Sequence, residues 1–281
     1  HSGVSAQLKS AVALAALNSF GTTTITENQR SRDHTENIIS NSSNSIKIIN
    51  GKTKIIKIFG KRHLNPLNIK VPSDPSSAAF FTALTILKNK SSVKIKNVGL
   101  NSTRIGFYEL LKKHGAKIKF KNIRIENYEK IGDIHVLSSK LKPIKASQEY
   151  YVKATDEYPI MFVIAALTNG VSKFKGLSDL ANKESNRIKE MQKILKQIGI
   201  KSLSNKNEIT IYGNSKIINL KKNIKVPNLG DHRICMSAAI LGLITGVRTN
   251  INNFETVRTS SPSFLYIIKS LGGKYEVKKK I

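Results

Sequence analysis

Lys183-Glu184-Ser185-Asn186-Arg187 is followed by Ile188, Met191, Ile194, Leu195 and Ile198 at helical spacing, and then by Gly199. The spacing predicts an amphipathic helix over residues 184–198, closed by a glycine. Lys183 and Arg187 stand four apart, so both cations are expected on one face of its first turn. A helix start already carries partial positive charge, and added cations there cost stability unless an anion arrives from outside. Glu184 between them can neutralise part of that charge or carry a proton. Each helix-end charge contributes only ~0.3–1 kcal/mol, so this segment alone reads equally well as an ordinary charged helix start.

The chain around it has 281 residues, room for two domains with cores of their own. A hydrophobic content of 40% excludes a disordered polymer. The longest apolar run, residues 159–167, is far short of the ~20 residues that span a bilayer, and no secretory signal is visible. Cys235 is the only cysteine, which rules out an internal disulfide and fits a reducing, cytoplasmic setting. Zinc-type Cys/His spacing is absent, so no metal is expected. The net charge of +29 has two readings, a polyanion partner or a lysine-rich background. The lysines are scattered over the chain and form no single block, which favours background; in either case the field attracts small anions. The chain opens on His1, almost inside a helix, so an upstream part is expected.

Further outward, one pattern recurs four times: an apolar helix, a turn, a short strand, a helix with a charged start, then strands. The buried-type helices fall at residues 5–19, 76–87, 156–167 and 232–244, and their partners near 32–36, 103–114, 184–198 and 261–271. Strands are expected at 22–26, 45–49, 54–59, 92–98, 117–125, 134–137, 171–174, 208–212, 248–251 and 274–277. A period of this length exceeds solenoid repeats and implies βαβ-type units assembled by pseudo-symmetry, an α/β chain. Helices apolar nearly all round, such as Ala11 to Leu17 and Met161 to Leu167, are expected to be buried. The segment 61–68 separates the first unit from the other three, and we place a domain boundary there.

Polar residues cluster at the helix starts. Ser5-Ala6-Gln7 opens the first helix, Asp156-Glu157 the third unit's, and Asp231-His232-Arg233 the last. Asp33, Asp74 and Ser76 read as ordinary N-caps. Asn101, Arg104 and Gly106 read as a turn and a helix start. Arg32, Arg187 and Arg233, each at a helix start, are harder to assign to structure alone. Converging starts would make a cleft of amides and cations with one buried carboxylate pair, suited to a small, multiply anionic substrate. Asp156 can be a cap or can orient and deprotonate a hydroxyl; His232 reads as a packed neighbour of the site.

The ordered segments 5–10, 31–36, 71–81, 156–159, 183–187 and 230–234 resemble the 5-enolpyruvylshikimate-3-phosphate synthase family, also called 3-phosphoshikimate 1-carboxyvinyltransferase. The resemblance covers essentially the whole chain, and Arg32-Asp33-His34-Thr35-Glu36 is similar to the form found in its glyphosate-tolerant subgroup. It implies a two-domain inside-out α/β barrel of repeated βαβαββ units. Residues 1–68 would be the last unit of the N-terminal domain and 69–281 the C-terminal domain. It further implies that the remaining units, with the donor loop, lie upstream, and that this chain alone turns over little. The implied reaction moves the enolpyruvyl group of phosphoenolpyruvate to the 5-hydroxyl of shikimate 3-phosphate, in a cytoplasmic monomer without metal or organic cofactor.

By the same resemblance, Ser5, Ala6, Gln7, Arg32, Asp156 and Lys183 would hold shikimate 3-phosphate. Gln7, Arg187 and Arg233 would hold phosphoenolpyruvate, whose carboxylate and phosphate suit the planar guanidinium fork. Asp156 would take the hydroxyl proton, Lys183 would lie beside that hydroxyl, and Glu184 would handle the proton at the methylene carbon. Two departures stand out: Asn186 replaces an aspartate that would support the arginines, and Ser261 replaces an aromatic residue. The rivals are a UDP-N-acetylglucosamine enolpyruvyl transferase, disfavoured by residues 32–36 and 183–187, and a basic nucleic-acid-binding module, which predicts steep salt dependence.

Overall fold

The computed structural model describes residues 5–217 and 223–278. The first unit comprises α1 (Ala6–Leu17), β1 (Thr22–Glu27), α2 (His34–Ser42), β2 (Ile46–Ile49) and β3 (Lys54–Phe59). The second comprises α3 (Pro75–Leu87), β4 (Ser92–Gly99), α4 (Gly106–Lys113), β5 (Lys117–Glu126) and β6 (Glu129–Leu137). The third adds β7 (Lys145–Ala146) and α5 (Glu149–Ala154) ahead of α6 (Tyr158–Ala166), β8 (Gly170–Lys175), α7 (Arg187–Gln197), β9 (Lys201–Ser204) and β10 (Glu208–Gly213). The last contains β11 (Asn223–Val226), α8 (His232–Thr245), β12 (Arg248–Ile251) and α9 (Phe264–Ser270).

Three sheets share one topology. Their strand orders are β1-β3-β2, β4-β6-β5 and β7-β8-β10-β9, so the last strand of each unit is central, β3 between β1 and β2, β6 between β4 and β5, and β10 between β8 and β9, with β7 added outside β8. The chain leaving that central strand donates back to the end of α1, α3 or α6: Lys61 N to Leu17 O (2.9 Å), Ser139 N to Ile86 O (3.0 Å) and Asn214 N to Ala166 O (2.8 Å). Two of these approaches demand glycine. A Cβ on Gly60 would lie 1.7 Å from Ser19 O, and one on Gly213 2.0 Å from Thr168 O. Three of the four expected repeats therefore match down to individual hydrogen bonds, while the fourth keeps only the two-stranded parallel pair β11-β12.

Helices α3, α6 and α8 pack on one another. Every residue of α6 is buried, and most residues of α3 and α8. Alternation on the strands supplies the facing layer: Ile209 and Ile211 of β10 are buried beside α6 while Thr210 is not, and in the first unit Ile56 and Ile58 of β3 face inward while Lys57 does not. Phe264 of α9 closes the base against Phe80, Phe81 and Phe254 at 5.6–6.1 Å. A second, smaller cluster of Ala13, Ala16, Leu17, Ile25, Ile39, Ile56 and Ile58 belongs to the first unit.

Several expectations are corrected. Helix α1 is not buried all round: it lies on β1 and β3 along one side, while Leu8, Val12 and Leu14 are exposed. Helix α7 starts at Arg187, three residues later than expected, because the Asn186 side chain caps it by accepting from Lys189 N at 3.1 Å. Lys183 and Glu184 thus precede the helix, after a 3-10 turn at Ser178–Asn182, and do not share a helical face with Arg187. Asp156 and Glu157 likewise occupy a 3-10 turn, Thr155–Glu157, ahead of α6. Residues 274–277 form no strand, and α9 begins late, after a 3-10 turn at Phe254–Thr259. The short elements β7, α5, β9 and β11 carry no strong periodicity in the sequence, and none was expected.

Candidate active site

The N-terminal ends of α3, α6 and α8 meet, and their polar residues interlock. At the centre is Asp156. Arg32 Nη2 donates to its Oδ2 at 2.5 Å and Arg104 Nη1 at 3.4 Å. Arg233 Nη2 lies 3.8 Å from the same oxygen, and Arg187 Nη1 lies 3.9 Å from Oδ1. Four guanidinium groups from four segments therefore surround one carboxylate. Arg32 comes from the β1–α2 connection, Arg104 from the turn before α4, Arg187 from the first position of α7, and Arg233 from the second position of α8.

Asp231 fixes two of these arginines. Its Oδ1 caps α8, accepting from Arg233 N at 2.9 Å and Ile234 N at 3.3 Å. Its Oδ2 accepts from Arg187 Nε and Ser185 Oγ, at 2.9 and 2.8 Å. Glu184 Oε2 accepts a hydrogen bond from Arg187 Nη2 at 2.5 Å. Among the described residues no hydrogen bond joins the Asn186 side chain to an arginine, and Arg187 is held by Asp231 and Glu184 instead. Arg187 Nη1 and Arg233 Nε and Nη1 remain buried with no hydrogen-bond partner among the described residues. Unpaired buried donors cost about 1–3 kcal/mol each, and an oxyanion placed among them would relieve that cost.

The adjacent carboxylates differ sharply. Burial opposes ionisation of Asp156, but Arg233, Arg32 and Arg104 overcome it and hold its pKa well below the usual range. Glu157 is buried, and burial followed by the charge of Asp156 pushes its pKa up. Its Oε1 accepts a hydrogen bond from Ser76 Oγ. The two neighbours therefore shift in opposite directions, Asp156 held as an anion by the arginines and Glu157 made harder to ionise by burial and by that anion. Burial opposes ionisation of Asp231 too, and Arg187 more than offsets it. His232, half-buried and without a hydrogen bond among the described residues, is depressed by burial and by Arg233, which keeps it neutral.

Lys183 Nζ sits 2.7 Å from Asp179 Oδ2, which also accepts from Tyr151 OH at 2.9 Å. Ser5 caps α1 by accepting from Leu8 N at 3.2 Å. Among the described residues, no hydrogen bond or ion pair joins Ser5, Ala6 or Gln7 to the Asp156 cluster. The two helices of their unit are linked through Ser10 and Thr35, whose hydroxyls are 2.6 Å apart.

The cap expected at Asp33 is absent: its Oδ1 instead accepts from Asn101 Nδ2 at 2.7 Å. That amide also reaches Glu129 Oε2 at 3.0 Å, while His34 and Asn37 hold Glu129 Oε1. Asp74 does cap α3, accepting from Ser77 N at 2.8 Å. Ser76 is not a cap and bonds to Glu157 and Arg104. The reading of Arg104 as only a turn residue therefore missed a contact to the central carboxylate. Its signal in the sequence is weak, a lone arginine two residues before a glycine.

Among the described residues, no group of His, Cys, Asp and Glu is placed to hold a metal ion, and no helix is long and apolar enough to cross a membrane. The class is set by the fold. The enolpyruvyl transferase NikO from Streptomyces tendae superposes with a TM-score of 0.68 at 13% identity, over 93% of this chain and 58% of that one, a likeness of fold alone. EPSP synthase from Acinetobacter baumannii superposes with a TM-score of 0.85 at 36% identity, over 98% of this chain and 62% of that one. The sequence profile described as EPSP synthase (3-phosphoshikimate 1-carboxyvinyltransferase) matches residues 1–268. The chain belongs to the EPSP synthase family. Relatives named 3-phosphoshikimate 1-carboxyvinyltransferase include one from Zymomonas mobilis, 37% identical over 97% of this chain, and one from Thermodesulfovibrio yellowstonii, 41% identical over 95%. The chain spans about 61% of the length of these relatives.

Proposed function

We propose that this chain carries the acceptor-hydroxyl and donor-anion half of a site that transfers the enolpyruvyl group of phosphoenolpyruvate to the 5-hydroxyl of shikimate 3-phosphate. The convergence of Arg32, Arg187 and Arg233 on Asp156 carries this reading. Three cations spaced around one carboxylate fit a hydroxyl flanked by a phosphate on one side and by a second anion on the other. In this assignment Arg32 takes the shikimate phosphate and Asp156 the ring hydroxyl and its proton. Lys183 lies at that hydroxyl, and Ser5, Ala6 and Gln7 complete the acceptor subsite when the cleft closes. Arg187 and Arg233, with their unpaired donors, take phosphoenolpyruvate. Glu184, half-exposed and bonded to Arg187, serves the proton at the methylene carbon. His232 packs behind Arg233.

In the same reading, residues 1–68 and 69–281 belong to two domains that close on the substrates. The enzyme works in the cytoplasm as a monomer without a cofactor. Calorimetric titration of the chain with shikimate 3-phosphate tests the assignment. Binding is expected, and Arg32→Gln is expected to weaken it about tenfold or more, the worth of a charge-assisted phosphate contact. UDP-N-acetylglucosamine should not compete. Competition by the sugar nucleotide, or binding indifferent to Arg32, would exclude the proposal. Duplex DNA that stays bound at physiological salt under saturating shikimate 3-phosphate would favour the nucleic-acid rival.

A further inference from the structure

Three of the four guanidiniums on Asp156 have a substrate anion to serve in the function proposed above; the fourth does not. Arg104 is anchored from behind. Its Nη2 donates to Asp74 Oδ1 at 2.9 Å and to Ser76 Oγ at 2.8 Å, both in the N-terminal turn of α3. Its Nη1 points at Asp156 Oδ2, 3.4 Å away. Ser76 in turn donates to Glu157, the residue next to Asp156. The backbone behind Arg104 is also tightly placed, because a Cβ on Gly106 would lie 2.6 Å from Cβ of Lys153. The guanidinium thus bridges the α3 cap and the turn that bears Asp156, and its side chain is only 12% exposed.

We infer that Arg104 is a positioning residue for Asp156, the one cation that stays on this carboxylate when phosphate and carboxylate groups of bound substrates draw off Arg32, Arg187 and Arg233. The inference rests on the proposed function for the identity of those anions; the bracket itself rests on geometry. Without competing anions, four cations crowd Asp156 and weaken it as a proton acceptor. With them bound, the carboxylate keeps one hydrogen bond, to a donor locked in place by Asp74 and Ser76. Its other lone pairs face the acceptor hydroxyl. The planar fork matters here, because an ammonium cannot reach Asp74, Ser76 and Asp156 from one rigid plane.

The test compares wild type, Arg104→Gln, Arg104→Lys and Ser76→Ala in the full chain, with circular dichroism as the check on folding. The Asp156 carboxyl is followed by carbon-13 NMR titration, and binding of shikimate 3-phosphate and of inorganic phosphate by calorimetry. Asp156 is faced by Arg32, Arg104, Arg187, Arg233 and Glu157, so its titration reports on the bracket in the absence of ligand. Arg104→Gln is expected to move that titration to higher pH and to weaken shikimate 3-phosphate about tenfold, with phosphate binding at Arg32 unchanged. Arg104→Lys should restore the titration but not the affinity, and Ser76→Ala should weaken the affinity in the same direction. An unmoved Asp156 titration, equal loss of both ligands, or full rescue of both readouts by lysine would overturn the inference. If wild type does not prefer shikimate 3-phosphate to phosphate, the acceptor assignment fails, and the ligand-free titration still decides whether Arg104 governs Asp156.

Discussion

Arg187 Nε and Asp231 Oδ2 are 2.9 Å apart in the interior, both side chains at or below 1% exposure, and the other oxygen of Asp231 caps α8. One carboxylate therefore neutralises a buried cation and fixes the helix that carries a second one. Removing one partner of a buried pair typically costs ~3–5 kcal/mol. Asp231→Ala is expected to lose about that much in denaturant unfolding. Asp231→Asn should retain the cap, worth ~1 kcal/mol, and lose the remainder. Because the folded pKa of Asp231 is depressed, its contribution is present above the ordinary aspartate value and lost as pH falls through the folded one. The acid-side decline of stability should therefore be shallower in Asp231→Asn. An unchanged acid profile would contradict the pairing.

Glu157 carries the opposite sign. Its pKa is raised above the ordinary 4.5, so between that value and the folded one the native state holds more protons than the unfolded chain. Stability falls as pH rises across this window and is level beyond it. Glu157→Gln is neutral at every pH and can still accept from Ser76. It is expected to remove this fall and to be the more stable form at pH 7. Melting curves from pH 4 to 8 check it; a glutamine variant that grows progressively less stable than wild type with rising pH would show Glu157 to be ionised.

The first unit contains a buried ionic quartet. Lys9 Nζ lies 3.1 Å from Glu27 and 2.7 Å from Glu36, and Lys54 Nζ lies 3.7 and 2.9 Å from the same two residues. It joins α1, β1, α2 and β3, and Glu27 also accepts from Ser31, the residue before Arg32. Lys9→Met leaves two carboxylates on one lysine and should cost ~3–5 kcal/mol. Adding Glu36→Gln should recover part of that loss, a coupling that a double-mutant cycle measures directly.

Asn101 holds Asp33 and Glu129 at once, tying the start of α2 to the start of β6. Asn101→Ala is expected to raise amide hydrogen exchange at the start of α2 and leave the buried helix α6 protected. Uniform loss of protection would instead make Asn101 part of the global core.

Arg187 and Arg233 present unpaired buried donors. Truncating a buried charged contact costs ~2–5 kcal/mol of binding, so Arg187→Ala and Arg233→Ala should each weaken phosphoenolpyruvate by tens-fold or more. The measurement is calorimetry at saturating shikimate 3-phosphate. Unchanged affinity in both variants would refute the donor clamp.

Most of the architecture is legible in the sequence because it depends on local pattern. The apolar faces of α3, α6 and α8, the alternation in β3 and the glycine at 199 each declare themselves within a few residues. Asp156, Arg187 and Arg233 are legible as helix-start polar residues in segments that resemble one family. The misses share a cause. The period puts Lys183 on a helical face because it cannot show that the Asn186 side chain caps the helix three residues later. Ser76 and Asp33 looked like caps because a short polar side chain ahead of a helix usually is one, and nothing local reveals a partner 81 or 68 residues away.

Periodicity and capping act over a turn or two of chain, so the repeated unit, the buried helices α3, α6 and α8 and the cations at helix starts can be read from the residues alone. That four arginines from four segments share one carboxylate, that Arg104 is among them, and that Asp231 binds Arg187 emerges with the folded chain. Those pairings are electrostatic contacts between residues far apart in the chain, and their energies depend on burial and on distances of a few ångströms, which no local pattern encodes.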